Sequence, residues 1–431
     1  MSKTSPVPRL GKLAIITVHT SPLETPGVGD AGGMNVYIDK TARELAKRGI
    51  EIDIFTRATS KDQPASIEVT PGVNVRHIPA GPFGGLQKQD LPGQLCAMTA
   101  GVMRAEAEKP EGWYDIIHSH YWLSGQVGWL ARDKWQVPLI HSMHTMAKVK
   151  NLALATDDTP EPLIRIVGEE QVVKVADRLI ANTHREAAEL IDLYDAIPQN
   201  VDVVHPGVDL EIFTPQGPNL RTELGIDSND FVLLFVGRIQ PLKAPDIALK
   251  AAAEVKKRFP EIATRIKVLI CGGLSGSGTE EKYSLSNLAS ELSISDDVCF
   301  LQPLPPEELA ALYRTADVIL VPSHSESFGL VALEASATGT PVIAAAVGGL
   351  VTSVKDNISG LLVGNHDPAT WAEKIADIAL RPTFRNELSS GGIEHAQRFS
   401  WQITAQNLAD SYERSIFDFR RTQGTKKSAS A

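Results

Sequence analysis

The chain has 431 residues, with 42 Lys+Arg against 52 Asp+Glu and a formal net charge of −10. That length suits roughly two or three domains with full cores, and a composition 43% hydrophobic and 22% charged excludes wholesale disorder. The acidic balance argues against coating nucleic acid or an anionic membrane, so neither is an expected partner.

Three scattered cysteines, Cys96, Cys271 and Cys299, form no CxxC pair. This excludes a disulfide framework and fits a reducing cytoplasm. No stretch approaches the ~20 apolar residues of a membrane span. In chain order, β-branched or apolar runs alternate with helical patterns, which predicts βα units around parallel sheets. Strands are expected at residues 12–18, 51–57, 74–79, 114–120, 138–144, 178–182 and 201–206. The pattern restarts at 230–237, 266–272, 297–302, 317–322, 340–346 and 360–364. A helix is expected at 34–49 and another at 403–417. The reading is an α/β protein of two Rossmann-like domains facing across a cleft, covering residues 10–214 and 215–400. The segment 401–420 is expected as a helix packing back toward the first domain, with polar tails at 1–9 and 421–431.

Open α/β sheets bind ligands at the carboxyl ends of their strands, and four such places carry chemistry. The loop after the first strand holds Gly27, Gly29 and Gly32 in GxGxxG spacing. A dinucleotide fingerprint needs those glycines directly after the strand, and here eight residues intervene. The better reading is an anion approached by backbone N–H groups at Gly32 and Gly33, where a helix starts; the bland one is a glycine-rich surface loop. In the second place, GRIQPLKAPD, Arg238 and Lys243 converge on a helix start marked by Pro245, a site for a diphosphate. The alternative is two solvated cations.

The third place, SESFGLVALEASATG, sets Glu326 in a loop and Glu334 eight residues on, with a helical pattern expected from Phe328. At 1.5 Å per residue the carboxylates stand roughly 9–13 Å apart. That is beyond the ~5–9.5 Å of paired glycosidase carboxylates, so they would hold two ends of one long ligand. Free N–H groups of Phe328, Gly329 and Leu330 would add donors. The fourth place comprises His118, His120, His141, His144, Thr145, Lys148 and Lys150. An HxH strand turns both imidazoles to one face, so zinc is conceivable, but a polar pocket for a hydroxylated anion fits better.

The Glu326–Glu334 segment resembles the E-x7-E motif of retaining GT-B glycosyltransferases of family 4, and GRIQPLK resembles their diphosphate loop. The strings GDAGGMNVYI and HTMAKVKN resemble, more narrowly, the actinobacterial D-inositol-3-phosphate glycosyltransferases of mycothiol biosynthesis. The resemblance implies transfer of N-acetylglucosamine from UDP-N-acetylglucosamine to 1D-myo-inositol 3-phosphate, with retention. It implies that Glu326, His144, Arg238 and Lys243 act at the reaction centre. Donor contacts are implied for His19, Thr25, Pro26, Gly33, Leu304, Phe328, Gly329, Leu330 and Glu334. The acceptor would meet Asp30, Ala31, Gly32, Gly33, Met34 and Asn35, and its phosphate Lys88, Tyr121, Thr145 and Arg165. No cofactor is required for the chemistry. A structural magnesium ion is implied at Tyr313, Arg314, Ala316 and Thr340, together with a homodimer. Rival readings are another retaining GT-B enzyme such as a sucrose-phosphate synthase, an NAD-dependent dehydrogenase, and a non-catalytic nucleotide-sugar-binding protein.

Overall fold

The computed structural model describes residues 10–25, 31–152, 154, 159–273 and 285–429. The first lobe carries strands β1 (Lys12–Thr17), β2 (Glu51–Arg57), β3 (Ser66–Thr70), β4 (Val73–Ile78), β5 (Ile116–His120), β6 (Leu139–Ser142), β7 (Arg178–Ala181) and β8 (Val201–Val203). The second carries β9 (Phe231–Val236), β10 (Ile266–Cys271), β11 (Val298–Leu301), β12 (Val318–Val321), β13 (Val342–Ala345) and β14 (Gly360–Val363). Every expected strand is present, most with trimmed ends, while β2 keeps its expected bounds and β4 begins one residue early.

The first sheet runs β3-β4-β2-β1-β5-β6-β7-β8, parallel except for the antiparallel β3–β4 edge pair. The second runs β11-β10-β9-β12-β13-β14 with every pair parallel. Strands such as Phe231–Val236 (FVLLFV) are almost wholly buried, as a parallel strand covered by helices on both faces must be. In each sheet the winding direction reverses at one point, between β1 and β5 and between β9 and β12. There the following loops diverge and leave a crevice at the strands' carboxyl ends. The two-Rossmann architecture expected from the sequence is therefore observed.

The helix Gly33–Ala46 is followed by a turn through Gly49, whose φ of 84° is left-handed backbone that glycine adopts without a Cβ clash. The last helix runs Trp401–Ala429, so residues 421–429 continue it where a polar tail was expected. Its Trp401, Ala405, Leu408, Tyr412 and Ile416 form one stripe inside the first lobe's core, beside Ile38, Leu45 and Ile116. Burying each such large apolar side chain is worth about 1.5–3 kcal/mol, enough to hold this helix across the junction. Arg178 ties it further, bonding Asp202 at 3.2 Å and Asp418 at 3.2 Å. The chain crosses between lobes near Gly207, where a Cβ would stand 2.4 Å from the Trp401 nitrogen, so only glycine lets the two crossings touch. Among the described residues, no helix is long and apolar enough to cross a membrane.

Candidate active site

On the first lobe, the loops after β1 and β5 bring His19 and Tyr121 together, with ring centroids 4.4 Å apart. Tyr121 has φ 70°, a left-handed conformation costly for a residue with a Cβ and typical of functional sites. Its ring also carries the Lys88 ammonium at 4.7 Å and the Arg165 guanidinium at 5.0 Å from the centroid. The ring quadrupole thus holds two cations at one spot. Burial, then the charges of Lys88, His144, Arg165 and Arg238, hold the His19 imidazole well below its ordinary value, so it is neutral.

Arg165 is not a free fork. Its Nε donates to Glu169 at 2.7 Å, Nη1 meets Glu161 at 2.8 Å, and Nη2 donates to the Thr145 carbonyl and hydroxyl at 3.0 and 2.9 Å. Glu161 also pairs with Lys150. Both partner carboxylates lie four residues from Arg165, a spacing visible in the sequence. Arg165 therefore aims Thr145 and sits behind it.

His144 also has left-handed backbone, φ 59°. Its Nε2 lies 2.8 Å from His120 Nδ1, and its carbonyl accepts a hydrogen bond from Ser327 Oγ of the second lobe at 2.5 Å. Burial pushes its imidazole down to about 3. The first helix starts at Gly33 with Gly32 as its N-cap, which leaves the Gly33 and Met34 N–H groups without intrahelical partners. A Cβ on Gly32 would stand 3.8 Å from Arg238 Nε, and one on Gly33 3.4 Å from Leu330.

On the second lobe, Arg238 follows β9. Beside it Gly272 presses on the neighbouring backbone, where a Cβ would lie 1.8 Å from the Gly237 carbonyl oxygen. A short turn, Pro241–Lys243, leads into the helix Pro245–Arg258, which begins at the expected proline. The Lys243 ammonium donates to Glu326. Glu326 lies on an irregular loop after β12, clamped by the Gly348–Gly349 turn. The Gly349 nitrogen donates to the Glu326 carbonyl at 2.7 Å.

The following helix begins at Leu330, not at Phe328 as the apolar pattern predicted. Gly329 at φ 96° is its N-cap, and this turn takes Glu326 off the helix axis. Helical rise therefore does not set the spacing of Glu326 and Glu334. Glu334 is half-buried and accepts from Tyr313 Oη at 2.8 Å. Burial pushes its carboxyl up to about 7.

These groups line one cleft with a cavity volume of about 370 Å3. It brings together His19, Gly32, Gly33, Met34, Lys88, Tyr121, His144 and Thr145 from the first lobe. From the second come Arg238, Lys243, Leu304, Glu326, Phe328, Gly329, Leu330 and Glu334. Arg165 stands behind this wall. Thr25 is exposed and is not among the lining residues, and Pro26 and Asp30 lie outside the described residues. Ala31 is buried beneath the loop.

Asn35 is also buried and fully engaged, so it anchors the loop and does not face a ligand. Its Nδ2 donates to Thr20 Oγ1 at 2.7 Å and the Ser21 carbonyl at 2.5 Å, while its Oδ1 accepts from the Gly32 nitrogen at 2.9 Å. The cleft adds residues the sequence reading missed: Tyr37, Asn182, Arg185, Glu186, Glu189, Gly348 and Gly349. The Thr183-x-x-Glu186 capping pattern marked that helix start; Thr183 Oγ1 accepts from the Glu186 nitrogen at 3.0 Å.

The segment implied for magnesium offers an ion main-chain carbonyls and hydroxyls, with no carboxylate among its four residues. The Tyr313 carbonyl accepts from Thr340 Oγ1 at 2.8 Å and the Ala316 nitrogen at 3.1 Å, and Arg314 donates to the Pro218 carbonyl at 2.8 Å.

Two family models match: "Glycosyl transferase 4-like domain" over residues 32–207 and "Glycosyl transferases group 1" over residues 217–395. The D-inositol 3-phosphate glycosyltransferase of Saccharomonospora viridis is 58% identical over 412 residues, covering 95% of this chain and 96% of that one. That of Salinispora arenicola is 55% identical, covering 95% and 93%. Among solved structures, the sucrose-phosphate synthase of Thermosynechococcus elongatus superposes with a TM-score of 0.85 at 31% identity, covering 95% of this chain and 99% of that one. Anabaena HepE, solved with UDP and glucose, shares the fold at a TM-score of 0.73 and 20% identity, covering 93% and 98%. By its sequence, its fold and this cleft, the chain belongs to the D-inositol 3-phosphate glycosyltransferase family within the group 1 glycosyl transferases.

Proposed function

We propose that the chain transfers N-acetylglucosamine from UDP-N-acetylglucosamine to 1D-myo-inositol 3-phosphate with retention, the first step of mycothiol biosynthesis. The observation that carries the reading is one cleft lined by two sets of anion-binding groups. Arg238 and Lys243 with the Gly32–Gly33 helix start form one set, Gly32 lying beside Arg238, and Lys88, Tyr121 and Thr145 form the other, with the Lys88 ammonium over the Tyr121 ring.

The donor's diphosphate takes the first set, with Glu334 toward the ribose, Leu304 toward uracil and Glu326 toward the sugar. As the C1–O bond breaks, its electron pair leaves with UDP. Arg238, Lys243 and the helix dipole stabilise the growing charge, as preorganised cations do in a site closed to water. Lys243 is already aimed by Glu326, so no reorientation is needed when charge develops. The acceptor hydroxyl attacks from the same face, and its proton passes to the departing phosphate oxygen. His19, neutral by burial, and His144 bound the reaction centre. The chemistry uses no cofactor. A cytoplasmic setting belongs to this reading, supported by three free cysteines, as does a homodimer.

The test is release of UDP from UDP-N-acetylglucosamine with inositol 3-phosphate, plain inositol and other sugar phosphates as acceptors. Inositol 3-phosphate should be strongly preferred. Lys88→Ala and Thr145→Val should each raise its KM by about 10-fold, given ~1.5–3 kcal/mol for a charge-assisted hydrogen bond. Plain inositol should lose little further. Equal losses for both acceptors, or a preferred sugar phosphate, would overturn the assignment.

A further inference from the structure

The His118-x-His120 pair on β5 is left unused by the mechanism above. Its geometry settles a property of the active-site imidazole. Alternation along β5 puts both rings on one face, with centroids 4.1 Å apart, beneath the C-terminal helix. His118 is held at both nitrogens: Nδ1 by Tyr412 Oη at 2.6 Å, Nε2 by Ser142 Oγ at 2.9 Å. His120 is 1% exposed and has one bond, Nδ1 to His144 Nε2 at 2.8 Å; its Nε2 is buried with no partner among the described residues. Tyr37 packs edge-to-face with both imidazoles, its ring centroid 5.8 Å from that of His120 and 5.3 Å from that of His144.

Both rings are neutral, since burial holds each well below its ordinary value. A neutral imidazole has one N–H and one bare lone pair. If the proton of His120 sat on Nε2, a buried N–H would have no acceptor, and orphaned buried N–H groups are the rarer and dearer case. The proton therefore sits on Nδ1 and is donated to His144. His144 then accepts at Nε2 and must carry its own proton on Nδ1, which has no hydrogen-bond partner among the described residues, on a side chain that lines the cleft.

We propose that His120 is a positioning residue that locks His144 as the Nδ1–H tautomer, making His144 a hydrogen-bond donor to a substrate oxygen. The catalytic value of this donor rests on the reading of His144 at the reaction centre; the tautomer itself does not. His120 touches no substrate and acts through His144 alone.

The test is nitrogen-15 NMR of histidine-labelled full-length protein, with His144 assigned by difference against His144→Gln. The wild type should show His144 protonated at Nδ1. His120→Phe should lose that preference, and His120→Asn, whose amide can still donate, should restore it. Tyr412→Phe should leave the tautomer unchanged, since it does not touch the His120–His144 bond. In steady-state assays His120→Phe should lower kcat about three- to tenfold with KM for both substrates within twofold, and His120→Asn should recover most of it. An Nε2–H tautomer at His144 in the wild type would overturn the proposal. So would a His120→Phe protein that keeps the Nδ1–H form. The correct tautomer in a protein that does not use inositol 3-phosphate would sink the functional reading and leave this assignment standing.

Discussion

Gly348→Ala tests how Glu326 is held. A Cβ at Gly348 would stand 2.0 Å from the Glu326 carbonyl oxygen, about 1.4 Å short of the 3.4 Å where ordinary van der Waals contact begins. The atom in the way is backbone, so no side chain can swing clear. Gly348 also has φ 49°, where a Cβ costs roughly 1–2 kcal/mol by itself. The added methyl must push the Glu326–Phe328 loop by something near that 1.4 Å. Displacing a reacting group by about 1 Å costs on the order of 100-fold in rate. The expected result is kcat/KM for the UDP-sugar about 100-fold lower, with a stability loss of roughly 2–4 kcal/mol from strain and overpacking. Steady-state kinetics and a thermal melt measure both. Gly364→Ala is the control: nothing lies within 4 Å of its Cβ position, so activity and melting should stay put. Turnover within threefold of wild type in Gly348→Ala would show that the glycine turn does not position Glu326.

The parallel strands were legible because burial on both faces writes itself as unbroken apolar runs such as FVLLFV. The edge strand Ser66–Thr70 was not. It is half exposed, reads SIEVT, and lies antiparallel against β4, so neither hydrophobicity nor βα rhythm marks it. The helix start at Leu330 was misread because an apolar pattern runs through Phe328 and Gly329, and only the left-handed φ of Gly329 breaks it. The glycine pair at 348–349 escaped for a related cause. Its reason is contact with a loop more than twenty residues away, and a sequence shows the glycines without what they touch.

The sequence shows a charged residue without showing the partner it already holds. Arg165 and Lys243 are expected from the resemblance to face ligand, yet each already holds a carboxylate, Glu161 and Glu169 for the first and Glu326 for the second. The Arg165 partners were available from i±4 spacing; the Lys243 partner, 83 residues distant, needed the fold.

Ser327→Ala removes the hydroxyl that binds the His144 carbonyl across the cleft, and should raise KM for the UDP-sugar about two- to tenfold with little change in melting. An unchanged KM would show that this bond plays no part in closure. Arg165→Ala should differ in kind from Lys88→Ala. It leaves Glu169, which is 0% exposed, without its cation, and stranding a buried charge costs about 3–5 kcal/mol, so a marked fall in melting temperature should accompany the lost activity. A stable but inactive Arg165→Ala would show that Glu169 finds another partner.

The last expectation concerns acid. His118, His120 and His141 are at most 1% exposed and burial holds each below its ordinary 6.5. An unfolded chain takes up protons below 6.5 that these rings refuse, so their stabilisation is present above that value and is lost as pH falls through it. Glu186 and Glu334 work the other way: their carboxyls are pushed up to about 7, so their share is full below the unfolded value of 4.5 and disappears as pH rises through about 7. Three fully buried histidines outweigh one buried and one half-buried carboxyl, so melting temperature should fall between pH 6.5 and 4.5. Glu334→Gln removes one opposing group and should steepen that fall. A flat melting profile across this window, or a shallower one in the variant, would show that the histidine cluster takes up protons without unfolding.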